Sequence, residues 1–436
     1  MPPRFHSLIA TQFVSALADN ALLVVAIALL QRTAQPAWWT PLLKFFFIVS
    51  YVALAPLVGA LADAVAKARL MAWMNGVKLA GALALAVGAH PLVAFGVVGF
   101  GAATYAPAKY GLVTEWVGAA RLVAANAWIE VSVVGAVLLG TALGGLLVSD
   151  AFVTHHAALS VDAWALRHGL DQMAGLAPSF GVVLALYATS TLINLRLRGG
   201  TAEPRRIGLA SIHPVALWRE FDHANRTLWA DLHGGRLSLA ITTLFWGAAA
   251  VLQFAVLRWA IERLGLTLAG AAYLQAAVAV GLIAGASLAG RHVSLLSAPR
   301  VLRVAPLLGL LVACGPWVES AAAATVLLML VGVAGGLLMV PMNALLQHRG
   351  CQLLSPGRSI AVQGFNENVS VLALLAAYAL TVWLDVPIAP LMMGLGLAIA
   401  VAMVLLAWRL HRSTRRRPAL GTATAQVLRG RNSSGL

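Results

Sequence analysis

The chain has 436 residues, of which 61% are hydrophobic and only 10% charged, far below the usual quarter for a soluble domain, with a formal net charge of +15. That balance excludes a water-soluble fold and makes the bilayer the solvent. Two cysteines, Cys314 and Cys351, exclude a disulfide framework, and no Cys/His set has metal-ligand spacing.

Apolar stretches of about 20 residues, enough to cross a hydrocarbon core as a helix, recur along the whole chain. They predict twelve spans, over residues 8–30, 42–62, 69–88, 92–113, 121–148, 178–195, 237–260, 267–288, 301–317, 320–343, 359–383 and 387–409. Met1 to Ser7 is too short for the charged start of a cleaved signal, and no small-residue cleavage site follows, so the first span is expected to stay. Asp19 is the only charge in that span and stands beside Asn20. A carboxylate at that depth is costly unless it is paired, hydrated or protonated, which makes it a candidate site.

Between the second and third spans come Gly59, Asp63, Lys67 and Arg69. Asp63 can cap a helix start and the basic residues can meet carboxylates, so this loop is expected to latch the bundle on its cytoplasmic side. Lys78 lies two or three turns into the third span and reads either as a snorkelling side chain or as a polar group on a path. Lys109, near the cytoplasmic end of the fourth span, carries the same two readings, with a phosphate as the anion it would meet. Asn126 and Glu130 follow in the fifth span. The outer stretch 149–177 holds His155, His156, Asp162 and His168, and three histidines in a polar loop read as solvated.

The connection from Arg196 to Arg236 is basic at first, with Arg198, Arg205 and Arg206. A helix is predicted from Pro214, because Val215, Trp218, Phe221, Leu228, Trp229 and Leu232 recur at helical spacing before Gly234 and Gly235. It either lies on the membrane surface or packs on the protein. Past the last span, the tail with Arg415, Arg416 and Arg417 is expected to be a disordered, membrane-facing end.

Charge placement sets the topology. Of the 30 Lys and Arg, Arg32, Lys44, Arg167, Arg258 and Arg263 fall outside and Lys78 within a span, while the rest fall in loops and tails on one side. The positive-inside rule then gives N-in and C-in, and the surplus faces anionic lipid rather than nucleic acid.

The chain also repeats itself. Pro107, Arg121, Asn126 and Glu130 are matched by Pro341, Arg358, Gln363 and Glu367, with nine residues from Arg to Glu in both copies. Six spans separate the copies. A parallel six-plus-six duplication resembles the major facilitator architecture, with the substrate site between the halves. The expected fold is therefore all-α, a twelve-helix pseudo-symmetric bundle. Its parts are an N-terminal half at 1–195, a cytoplasmic linker at 196–236, a C-terminal half at 237–410 and a basic tail at 411–436. The 59–69 loop resembles the signature loop of that superfamily.

A narrower set of motifs resembles the bacterial lysophospholipid transporters. It comprises Gln12-Phe13 with Asp19-Asn20-Ala21-Leu22-Leu23, Ala55-Pro56-Leu57-Val58-Gly59, Pro107-Ala108-Lys109-Tyr110-Gly111 and Phe245-Trp246-Gly247. Pro341, Asn343 to Gln347, Ile360-Ala361-Val362-Gln363 and Glu367-Asn368 complete it. The resemblance implies an inner-membrane protein that moves lysophosphatidylethanolamine and related lysolipids from the outer to the cytoplasmic leaflet. It also implies a separate acyltransferase/acyl-carrier-protein synthetase as partner. No His here has an Asp five residues later, and no Gly-x-Ser-x-Gly elbow falls in a soluble segment, so acyl transfer is not expected on this chain. An exporter of drugs or small metabolites is the alternative.

Under the resemblance, Asp19, Asn20, Lys78, Lys109, Asn126 and Gln363 are the candidate substrate or ion site. Asp19 would take the head-group amine or a coupling cation, Na+ or H+, and Lys109 the phosphate. Gly59, Asp63, Lys67, Arg69, Glu130, Arg358 and Glu367 are the candidate latch. Against these stand the plainer readings: a structural buried pair at Asp19, and fixed scaffold pairs at Glu130 and Glu367. In the repeat, Asp19 and Asn20 align with Val251 and Leu252, so that polar pair belongs to one half only.

Overall fold

The computed structural model describes residues 1–35, 39–170, 173, 175–197, 213–232 and 234–415, and these are helical with no strand among them. The N-terminal half holds α1 (Pro3–Arg32), α2 (Trp39–Ala53), α3 (Ala55–Ala64), α4 (Lys67–Ala86), α5 (Pro91–Trp116) and α6 (Leu122–Leu147). Two short helices follow, α7 (Asp150–Val153) and α8 (His156–Arg167), then α9 (Ala177–Arg196). The linker contains α10 (Pro214–Ala230). The second half is α11 (Gly235–Glu262), α12 (Leu268–His292), α13 (Ala305–Ala313), α14 (Ala321–Leu353), α15 (Pro356–Trp383) and α16 (Ile388–Arg415).

Nine of these helices are singly long and apolar enough to cross a membrane among the described residues, and a tenth crossing is the bent pair α2–α3. The other two expected spans are present in modified form. The third is the continuous 20-residue α4, whose apolar average is lowered by Lys67, Arg69 and Lys78. The ninth is α13, only nine residues long, between 3-10 turns at Ala298–Arg303 and Gly315–Trp317 that carry prolines. The 63° bend in the second span falls where Pro56 opens α3 and removes a backbone donor. α14 runs on to Leu353, so Cys351 and Arg349 stand inside a helix rather than in a loop.

With no hydrophobic force between helices in lipid, close approach of small residues holds the bundle. Gly281 and Gly285 of α12 meet the backbone of α14 at Met329 and Val333, while Gly332 and Gly336 of α14 meet α12 in return. A methyl group at any of these four would drive into main chain.

The two halves touch unevenly. One apolar cluster joins Phe5, Leu8, Ala62 and Leu112 to Ala286, Ala289 and Ala344. A second joins Ala55 to Phe221, Leu239 and Val362, and a third joins Val58 and Ala103 to Ala361. All three lie toward the basic end of the bundle, where α1 begins. Toward the other end, one cluster draws only on the first half (Ala18 to Tyr187) and another only on the second (Ala255 to Met392). The bundle is thus closed at its basic end and cleft at the other.

α10 packs on the protein. Phe221, Ala224 and Leu228 are buried against Ala55, Leu239, Leu346 and Val362. The Trp229 indole donates to Asn366 Oδ1 at 3.1 Å, and Asn366 donates to Asn225 Oδ1 at 2.9 Å. Of the two readings of the linker helix, the structure therefore shows the packed one, although Val215 and Trp218 remain exposed. The basic stretch before it and the tail after Arg415 lie outside the described residues. On the far side, His155 caps α8 by accepting from Ala157 N, His168 stacks on Trp164, and Asp162 accepts from Ala177 N at 3.1 Å to cap α9.

Candidate functional site

Asp19 lies near the middle of α1. Its Oδ2 takes an ion pair from Lys78 Nζ at 2.7 Å, and its Oδ1 accepts from the Tyr187 hydroxyl at 2.7 Å. Lys78 also donates to Ser15 Oγ at 2.9 Å and lies 5.3 Å from the Tyr105 ring centroid and 6.0 Å from that of Tyr187. The chain of bonds continues: Ser15 donates to Asn75 Oδ1 at 2.8 Å, and Asn75 Nδ2 to Ser190 Oγ at 2.6 Å. Ser190 donates in turn to Thr11 O at 2.9 Å. Three helices, α1, α4 and α9, are stitched together by this network. Lys78 does not snorkel to the interface; its ammonium turns inward, with a side chain only 3% exposed.

Sequence reading named no protein partner for Asp19, and the structure gives it Lys78. The helical register explains this. Thr11, Ser15 and Asp19 recur every four residues on one face of α1, Asn75 and Lys78 are one turn apart on α4, and Tyr187 and Ser190 are one turn apart on α9. That spacing was the signal for Tyr187, Ser15, Thr11 and Ser190, which sequence reasoning missed. Asn20 stands apart. Its Nδ2 donates to Ala16 O of its own helix at 2.8 Å, and its Cβ faces Gly140 of α6. In this arrangement each Asp19 oxygen accepts from one donor, and Lys78 supplies a balancing charge.

Closer to the basic end is a second polar group. Lys109 is buried, with its ammonium 4.3 Å from the Tyr110 ring centroid, and Glu130 is the carboxylate whose field acts on it. Among the described residues the two form no direct ion pair. Gln363 donates to Asn343 Oδ1 at 2.9 Å and to Glu367 Oε1 at 2.8 Å. These residues, with Tyr51, Tyr110, Trp246, Gly364 and Asn368, line a cavity of about 110 Å³ between the halves. Asn126 and Gln347 exchange amide bonds at 3.0 and 2.8 Å, joining α6 to α14 across the interface.

The latch is built differently from the one expected. Asp63 accepts from the Ser355 hydroxyl and from Gly357 N, the latter at 3.1 Å, and so caps the start of α15 in the opposite half. Arg358 lies 3.8 Å from Asp63 and also pairs with Glu220 of α10. Gly59 lets α3 pass close to Arg358 and Ala361, where a Cβ would sit 3.2 Å from the Ala361 methyl. Lys67 pairs with Glu115 of its own half, not with Glu367. Arg69 is exposed and makes no ion pair among the described residues. Glu130 and Glu367 face the interior of the bundle rather than the basic loops, because their depth on α6 and α15 places them two turns inside the membrane from Arg121 and Arg358.

Two helical halves, closed at one end over a buried charge pair and amide locks, define a secondary transporter of the alternating-access kind. The comparisons with known proteins narrow this. The family model described as Major Facilitator Superfamily matches residues 8–351. The chain is 37% identical over 401 residues, 92% of its length and 94% of the relative's, to the lysophospholipid transporter LplT of Shigella flexneri. It is 38% identical over 383 residues, 88% of its length and 87% of the relative's, to the protein of the same name from Yersinia pestis strain Pestoides F. Among solved structures, the transporter FucP in the outward conformation superposes with a TM-score of 0.71 at 14% identity, covering 93% of this chain and 98% of that one, a likeness of fold alone. The chain belongs to the Major Facilitator Superfamily and, within it, to the family of the lysophospholipid transporters.

Proposed function

We propose that this chain carries lysophospholipids, lysophosphatidylethanolamine among them, from the outer to the inner leaflet of a bacterial cytoplasmic membrane by alternating access. The basic end is then cytoplasmic, with both termini inside, and the described conformation faces outward. One observation supports the reading most: an opposite-charge pair, Asp19 and Lys78, stands at mid-membrane in the first half, near the level where the apolar clusters of the two halves part. A phosphoethanolamine head presents the same two charges. It can replace the internal pair, amine on Asp19 and phosphate on Lys78, so that neither protein charge is stranded during exchange. Tyr187 holds the carboxylate in place while Lys78 swings.

Lys109 is the next cation toward the cytoplasm, seven residues from the end of α5, or about 10 Å. It receives the phosphate once the Asp63 cap and the Asn126–Gln347 lock have opened. Before then, the nearest balancing charge for Lys109 is the field of Glu130, without a direct ion pair. The acyl chain stays against hydrocarbon throughout. Re-acylation then belongs to a separate cytoplasmic acyltransferase/acyl-carrier-protein synthetase acting on the delivered lysolipid.

The test is flipping of fluorescent lysophosphatidylethanolamine in proteoliposomes of the purified chain. Wild-type protein should move it between leaflets, and Asp19→Asn and Lys78→Gln at matched incorporation should not. Movement at the rate of protein-free vesicles in the wild type would end the proposal.

A further inference from the structure

Lys44 is a cation that the head-group site does not use. It is the sixth residue of α2, about 7.5 Å along the axis from the helix start at Trp39. The residue as a whole is exposed while its ammonium is crowded by surrounding atoms, and it makes no hydrogen bond or ion pair among the described residues. Its direction follows from its neighbours. Leu43, Phe47 and Ser50 form the face that meets α5: Ser50 donates to Gly96 O at 3.0 Å, and Gly99 passes against the Phe47 backbone. Phe45 and Phe46, 44% and 36% exposed, look toward lipid. Lys44 shares the remaining stripe with Ile48 and Tyr51, and Tyr51 lines the central cavity beside Gly364. Seven residues separate Lys44 from Tyr51, two helical turns on one face. Lys44 therefore stands about 10 Å outward of the cavity, on the wall of the cleft.

Outward of Glu367, which lies at the level of the cavity, α15 carries no charge to pair with Lys44. Beyond Gln363, no residue of α15 is buried. Going outward from Gly364, the same stripe passes Asn368 at the cavity and continues through the apolar Val371 and Leu375. An unpaired ammonium at this depth is costly beside hydrocarbon, and an apolar wall open to lipid faces it across the slot between α2 and α15. A molecule with one phosphate and one acyl chain satisfies both sides at once.

We infer that Lys44 is a capture site for the phosphate of an outer-leaflet lysophospholipid, whose acyl chain lies along the outer part of α15, before the head moves inward to Asp19 and Lys78. The inference rests on the transport reading above. It places three cations of the first half, Lys44, Lys78 and Lys109, at successive depths along one descent.

The experiment uses proteoliposomes and lysophosphatidylethanolamine with a photoactivatable diazirine in its acyl chain, reading flipping rate and mapped cross-links together. Wild-type protein should be labelled on α15 between Val371 and Trp383. Lys44→Gln should raise the half-saturating lysolipid fraction about three- to tenfold, as for a partly screened ion contact. Its maximum rate should hold and its α15 label should fall, and Lys44→Arg should restore both. An unchanged half-saturation in Lys44→Gln, or a loss of maximum rate alone, would assign Lys44 to snorkelling and overturn the capture site. Lys44-dependent label on α15 without any flipping would leave the capture site standing and remove the transport reading.

Discussion

Breaking the Asp19–Lys78 pair one partner at a time should give an asymmetric and non-additive pattern of stability. The Lys78 side chain is 3% exposed and that of Asp19 17%. Removing one member of a buried pair strands the other, which costs about 3–5 kcal/mol where burial is complete. Asp19→Asn leaves the ammonium with only Ser15 Oγ at 2.9 Å and two ring faces, so a cost of about 2–4 kcal/mol is expected. Lys78→Met leaves the carboxylate with the Tyr187 hydroxyl and some access to the cleft, so about 1–3 kcal/mol is expected. The double variant strands nothing and should fall within about 1 kcal/mol of wild type, giving a coupling of several kcal/mol around the cycle. Thermal unfolding midpoints of the detergent-solubilised protein read the order: Asp19→Asn lowest, Lys78→Met next, the double variant near wild type. Flipping should fail in all three. A double variant no more stable than Asp19→Asn would refute the pairing, and one that flips lysolipid at the wild-type rate would make the pair mere scaffold.

Asp63→Ala removes the cap of α15 and the partner of Arg358 together, and should shift the two-state balance toward inward-open by about 1–3 kcal/mol. Electron–electron resonance distances across the cytoplasmic face should then lengthen, while Arg69→Ala leaves them as they are. Asn126→Leu or Gln347→Leu alone orphans a buried amide at about 1–3 kcal/mol; the double variant should recover most of this in unfolding midpoint, and additive losses would contradict a direct lock. At α10, Phe221→Ala should lower the midpoint far more than Glu220→Ala, since burial of a large ring outweighs an ion pair whose acid is 55% exposed. An impermeant thiol reagent applied to intact cells should label a cysteine placed at His155 but not one at Thr201; the reverse would invert the topology.

The spans and the duplication were legible because a bilayer imposes length and apolarity on every crossing, and Pro107 and Pro341 mark matching points in the two halves. Two spans departed for local reasons: prolines and glycines cut the ninth to α13, and Pro56 bent the second. Asp19 was legible as a lone charge, but its partner was not. Depth along a helix can be counted from sequence, whereas the azimuth of α4 against α1 is fixed by packing, and that azimuth brings Lys78 to Asp19. The latch shows the same division. Asp63 could be read as a helix cap, yet the helix it caps begins at Pro356, nearly three hundred residues on. Glu367, assigned to the latch by its place in the repeat, turns instead to Gln363 and the cavity.

The asymmetry between the halves carries the mechanistic argument further. Of the charged side chains within the bundle discussed above, the first half supplies Asp19, Lys78, Lys109 and Glu130, with Lys44 further outward, while the second supplies Glu367 and the amides Asn343, Gln363 and Asn368 at the cavity. A carrier of a compact polar solute gains from enclosing it with polar groups on both sides. An amphiphile needs the opposite: one wall that offers charge and a facing one that is apolar where the tail lies, as the outer part of α15 is beyond Asn368. Cations on one wall, spaced from the outer third to the inner third, lower the cost of moving a phosphate through a medium where an unpaired charge is several kcal/mol out of place. Two of them have a balancing charge before the lipid arrives, Asp19 for Lys78 and the field of Glu130 for Lys109, whereas Lys44 has none among the described residues. The close glycine contacts hold α12 to α14 within the second half, and the Asp63 cap on α15 ties that half to the first.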